Sequence, residues 1–158
     1  MKITIEGADK AFAEKLVVLA AQHDAELTVT TVDIAWTAER AEQFLASLPA
    51  NALRFAKLVV DADGDKPAEE LRVEFHGELR GPTIALSRAV PRGVRRKWWP
   101  SGTEAPIAPR YDPEHPSWQK AIAYTMTSEN VTAFRAAFAR LGIGPAPVDD
   151  DQNEEDQP

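Results

Sequence analysis

Between residues 50 and 90 the chain starts a new helix three times with almost nothing between one and the next, and this succession limits its fold more than any other feature. "NALRFAKLVVDADG" places Leu53, Phe55, Leu58 and Val59 along a helical apolar stripe and ends at Gly64, the residue type that most readily takes the left-handed conformation of a helix stop. "PAEELRVEFHG" opens on Pro67, sets Glu69 and Glu70 near the positive end of the helix dipole, and stops at Gly77. "GPTIALSRAV" opens on Pro82 and is expected to end at Val90, because Pro91 inside a helix removes a hydrogen bond and costs about 3 kcal/mol. Proline and glycine then dominate residues 91–117. Within and after that stretch, "PIAPRYD" and "QKAIAYTM" form the two strands of a hairpin around "PEHPSW", each with one tyrosine.

The flanks add a sheet element and two more helices. "KITIEG" and "AELTVTTVDI" alternate apolar and polar residues as half-buried strands do, and "DKAFAEKLVVLAAQH" between them carries Phe12, Leu16 and Leu19 on one helical face. Two strands do not make a self-sufficient sheet, so this β-α-β element needs partners within the chain or across a homodimer. Thr37 is placed to cap a helix over "TAERAEQFLASLP", with Phe44, Leu45 and Leu48 as its stripe. "SENVTAFRAAFARLG" forms a last helix, capped by Thr127 or Ser128 and stopped by Gly142. Six acids and almost nothing apolar occupy "PAPVDDDQNEEDQP", a composition expected to stay disordered. The expected organisation is α+β: a β-α-β element over residues 1–35, a helical unit with a hairpin and a C-terminal helix over 36–142, and an acidic tail over 143–158.

Several chemistries are excluded or unsupported. With no cysteine there is no disulfide, thiolate metal site or cysteine nucleophile, and a reducing, cytoplasmic setting is expected. No signal-peptide core follows Lys2, and the longest apolar run, "LVVLAA", is too short to span a bilayer, so no membrane role is expected. His23, His76 and His115 lack ligand spacing, and "YDPEHP", which brings Asp112, Glu114 and His115 together, is better explained as a turn than as a metal site. Glu69 and Glu70 point about 100° apart on a helix and cannot act as a facing acid–base pair. No phosphate-cradling glycine loop is present. The expectation is therefore a protein without catalytic residues, metal or cofactor.

Charge points to a partner instead. The chain has net charge −7, yet residues 80–110 hold seven Lys/Arg against one acid, while 1–79 hold 8 against 15 and 111–158 hold 3 against 9. Three helices followed by a hairpin, with "GELRGPT" as the turn into the third helix, resemble winged helix-turn-helix DNA-binding proteins over about residues 50–126. The resemblance implies that the third helix enters the major groove and that the hairpin, or wing, meets the phosphate backbone. It implies a small, cytoplasmic, bacterial transcriptional regulator of double-stranded DNA. Read from the residues themselves, Arg88 is placed to reach a base edge and Arg92, Arg95, Arg96, Lys97 and Arg110 to hold phosphate, with Arg80, Thr83 and Ser87 as further nucleic-acid contacts. Trp98 and Trp99 are candidate aromatic contacts, able to stack on bases of a single-stranded target. The competing expectation is an adaptor whose basic, aromatic surface holds an acidic protein, with the cluster otherwise ion-paired against the acidic helices.

Overall fold

A computed structural model describes residues 5, 9–23, 32–116 and 119–144. Most of the two expected N-terminal strands, and the acidic tail from residue 145, lie outside the described residues. The helix between those strands is present as α1 (Lys10–Gln22), started by Asp9, whose carboxylate accepts the Phe12 N–H at 2.7 Å. It buries none of its side chains.

The remaining elements run α2 (Ala38–Ala46), α3 (Ala50–Asp61), β1 (Asp65–Pro67), α4 (Ala68–Glu74), α5 (Arg80–Arg95), β2 (Ala108–Tyr111), β3 (Ala121–Thr125) and α6 (Ser128–Arg140). Thr37 and Thr127 cap α2 and α6 by accepting the Arg40 and Asn130 N–H groups. The chain is thus mixed helix and sheet, with one three-stranded antiparallel sheet in the order β1-β3-β2. The β2–β3 pair is the expected hairpin, with an irregularity between Arg110 and Tyr111. Strand β1 is an addition: "DKP" has no alternation of its own and is extended because Asp65, Lys66 and Pro67 pair with Thr125, Tyr124 and Ala123. No helix among the described residues is long and apolar enough to cross a membrane.

The core joins the helices to the sheet. Phe44 from α2, Phe55 from α3, Leu71 from α4 and Phe134 from α6 are fully or almost fully buried. Helix α2 packs on α6, and α3 packs on α5 and α6. Trp36 closes one end, its ring 5.2 Å from Phe44, 5.0 Å from Trp99 and 5.5 Å from Phe134, with its indole N–H donating to the Glu104 carbonyl at 2.9 Å.

Helix α5 departs from expectation in one respect: it does not stop at Val90 but runs through Pro91 to Arg95. Pro91 lies on the exposed side, and the turn beyond it is held by packing. Trp99, 2 % exposed, folds back so that its indole lies against Gly93 and its N–H donates to the Val90 carbonyl at 2.9 Å. Arg92 donates to the Ser47 carbonyl and hydroxyl oxygens, both at 3.1 Å, tying the turn to α2. Burial of a tryptophan contributes about 3–5 kcal/mol on a truncation scale, enough to outweigh the proline's cost of about 3 kcal/mol when a hydrogen bond is added. The helix ends in a Schellman motif, with Trp98 N–H to the Gly93 carbonyl (2.9 Å), Lys97 N–H to the Val94 carbonyl (3.1 Å), and Lys97 at φ 60° where glycine is usual.

Candidate nucleic-acid interface

The face that α5 presents follows from its buried stripe. Pro82, Leu86, Ala89, Val90 and Gly93 recur at helical spacing toward the core, which turns Arg80, Ser87, Arg88, Pro91 and Arg95 outward. Arg88 and Arg95 are seven residues apart and share a side; Arg80 is one further double turn toward the N-terminus. At 1.5 Å per residue the 16-residue helix displays them along about 24 Å. Arg96 and Lys97, both exposed, continue the cluster into the turn that follows. Arg92 and Arg95 lie in the last turn, where the negative end of the helix dipole favours cations.

Ion pairing separates this cluster from the other cations of the helical unit. Arg54 pairs with Glu74, Lys57 with Asp61, Lys66 with Glu70, Arg72 and Lys120 with Glu69, Arg110 with Asp65, Arg135 with Asp63, and Arg140 with Glu39 and Glu42. Arg40 donates instead to the carbonyls of Asp33 and Ala35. Arg80, Arg88, Arg95, Arg96 and Lys97 have no ion-pair partner among the described residues. They are the local excess of positive charge that the composition of residues 80–110 requires.

The other expected contact residues divide. Arg92 is half-buried against Ser47 and acts as a clasp between α5 and α2. Thr83 donates its hydroxyl to the Leu79 carbonyl at 2.8 Å, and Ser87 donates to Ile84 at 3.0 Å, each within its own helix. Trp98 and Trp99 are not equivalent, a difference that two adjacent identical residues cannot reveal in sequence. Trp99 is a buried core anchor, whereas Trp98 is partly exposed with the Arg96 guanidinium 5.1 Å from its ring centroid.

The hairpin is not basic. Arg110 on β2 is held by Asp65 at 3.2 Å, and the connection carries Asp112 and Glu114. Asp112 accepts the Glu114 N–H at 2.9 Å and lies 2.8 Å from His115 Nδ1, the turn expected of "YDPEHP". The His115 hydrogen bond, and then the Glu114 N–H, hold the Asp112 carboxyl below the usual carboxylate range. Among the described residues no group of His, Asp and Glu side chains could hold a metal.

Two surface depressions flank α5. A cleft of about 380 Å³ lies between its first half and the hairpin, lined among others by Thr83, Ile84, Ser87, Tyr111 and Tyr124. Burial, and then the neighbouring Tyr111, push the Tyr124 hydroxyl above its ordinary pKa, while Arg72 opposes the shift. Ile84, the one apolar residue beside Arg88 on the outward side, is partly covered here. At the other end, a shallow groove is lined by Arg40, Val94, Lys97, Trp98, Trp99, Pro100 and Ser101. Arg40 is the residue sequence reasoning missed, since it reaches the groove from α2, more than fifty positions away, and no local pattern signals that approach.

No protein-family model matches the chain, and comparison with curated proteins and with solved structures finds no match.

Proposed function

We propose that this protein binds double-stranded DNA through α5 as a small winged-helix regulator. One observation carries the reading: among the described residues, five exposed cations on α5 and its C-terminal turn have no ion-pair partner, although the helical unit pairs eight of its other cations. Free cations spaced along one face match a line of phosphates, and a neutralised face would not. The order α3-β1-α4-α5-β2-β3, with a short turn between α4 and α5, is the accompanying support.

In this reading α5 lies in the major groove, with Arg80 and Arg88 reaching base edges beside Thr83 and Ser87. Arg95, Arg96 and Lys97 hold the flanking backbone, while Arg92 positions that end of the helix from behind. The wing contributes shape more than charge, because Arg110 is engaged by Asp65 and the hairpin connection is acidic. Three phosphate contacts give a slope of log K against log salt near −2.7, so a fourfold rise in salt costs roughly 40-fold in affinity. The protein is expected to stay on a duplex-DNA column at about 50 mM salt and to elute near 300 mM, and R95A/R96A/K97A is expected to flow through while remaining folded. Flow-through of the native chain at low salt overturns the reading.

A further inference from the structure

The unpaired cations have a natural counterpart in the same chain. Residues 145–158 carry Asp149, Asp150, Asp151, Glu154, Glu155 and Asp156 and no Lys or Arg, the reverse of the 80–97 segment. The described structure fixes where that segment is tethered. Arg140, at the end of α6, reaches Glu39 at 3.1 Å and Glu42 at 3.7 Å on the first two turns of α2. The Ile143 N–H closes the helix end by donating to the Phe138 carbonyl at 3.0 Å.

Glu39 is the neighbour of Arg40, and Arg40 lines the same groove as Lys97 and Trp98. The exit of α6 and the basic turn after α5 therefore both meet the N-terminal half of α2. Fourteen residues span up to about 46 Å when extended and about 20 Å on average when flexible. The average span is close to the roughly 24 Å of α5, and the extended span exceeds it. Arg140 offsets part of the charge of Glu39 and Glu42 beside the tether, which lessens repulsion along the path of an acidic segment.

We propose that residues 145–158 dock on the Arg88, Arg95, Arg96 and Lys97 surface and compete with DNA phosphate for it, a built-in inhibitor. The inhibitory part rests on the DNA-binding reading; the docking part does not. A tether of this length supplies an effective concentration in the millimolar range, so even a weak, salt-screened contact occupies the surface at low ionic strength.

The test uses the full chain with its six tail acids converted to amides, D149N/D150N/D151N/E154Q/E155Q/D156N. At about 50 mM salt the Trp98 indole N–H resonance is expected to differ between native and amide chains, with buried Trp36 and Trp99 unmoved as internal references, and the difference is expected to vanish near 0.5 M salt. Duplex affinity is expected to rise about tenfold in the amide chain at 50 mM salt and less than twofold at 300 mM. Identical Trp98 signals at low salt overturn the docking. A shifted Trp98 with equal duplex affinity in the two chains overturns the inhibition. A shifted Trp98 with no DNA binding by either chain keeps the docking and removes the DNA reading, whereas an unmoved Trp98 with equal DNA binding does the opposite.

Discussion

Gly93→Ala tests whether Trp99 is what carries α5 past its proline. An ideal Cβ on residue 93 would fall within the far edge of the Trp99 indole, at Cε2, Cζ2 and Cη2. The ring has little room to retreat, since it lies 5.0 Å from Trp36, 6.0 Å from Phe44 and 5.9 Å from Trp98, centroid to centroid. Overpacking of this kind costs about 1–3 kcal/mol, and pulling the indole N–H off the Val90 carbonyl adds about 1–3 kcal/mol. Alanine returns about 1 kcal/mol through its better helix propensity. The net expectation is about 3 kcal/mol of destabilisation, or roughly 10–20 °C in Tm for a unit of about 100 residues. The decisive comparison is made in a W99L background, where leucine lacks the three clashing ring atoms while keeping enough apolar volume for folding. There G93A is expected to change sign and stabilise by up to about 1 kcal/mol. Thermal unfolding followed by circular dichroism reads both values. Equal costs in the two backgrounds would refute the assignment of Gly93 to the Trp99 contact.

Lys97→Gly separates charge from fold: relief of the left-handed backbone is expected to raise stability by about 1 kcal/mol, while duplex affinity falls and the salt slope loses about 0.9. A lower Tm would contradict the strained cap. Arg92→Ala is expected to destabilise by about 1–2 kcal/mol in urea melts, as the loss of a clasp and not only of a surface charge, since it removes both bonds to Ser47. The Asp112 carboxyl is expected to titrate below the usual Asp value of 3.8. Because the folded value is depressed, the turn's contribution is complete above the ordinary carboxylate range and is lost as pH falls through the folded value. An NMR titration with its midpoint at or above 3.8 would remove the Asp112–His115 turn from the account.

Much of the helical unit was legible because its signals are local. Thr37 and Thr127 cap the helices they announce, Gly64 and Gly142 sit at left-handed stops, and two tyrosine-bearing segments pair as the hairpin. Three features were hidden because they depend on residues distant in sequence. "DKP" becomes a strand only by pairing with β3, and α5 outlasts Pro91 only because Trp99 and Ser47 hold its last turn. Adjacent tryptophans carry no mark of which will be buried. The candidate site was legible as charge but not as geometry, since only the structure separates Arg92 and Arg110, which are held by Ser47 and Asp65, from the five cations that have no ion-pair partner among the described residues.

The salt dependence of duplex binding, compared between the native chain and R95A/R96A, addresses the central claim most directly. Both arginines are exposed, so their replacement should leave stability within about 0.5 kcal/mol. Two lost phosphate contacts should reduce the magnitude of the slope of log K against log salt by about 1.8. Salt-dependent binding by the native chain, together with that reduction, is the predicted result. An unchanged slope, or no salt-dependent binding by the native chain, would contradict it.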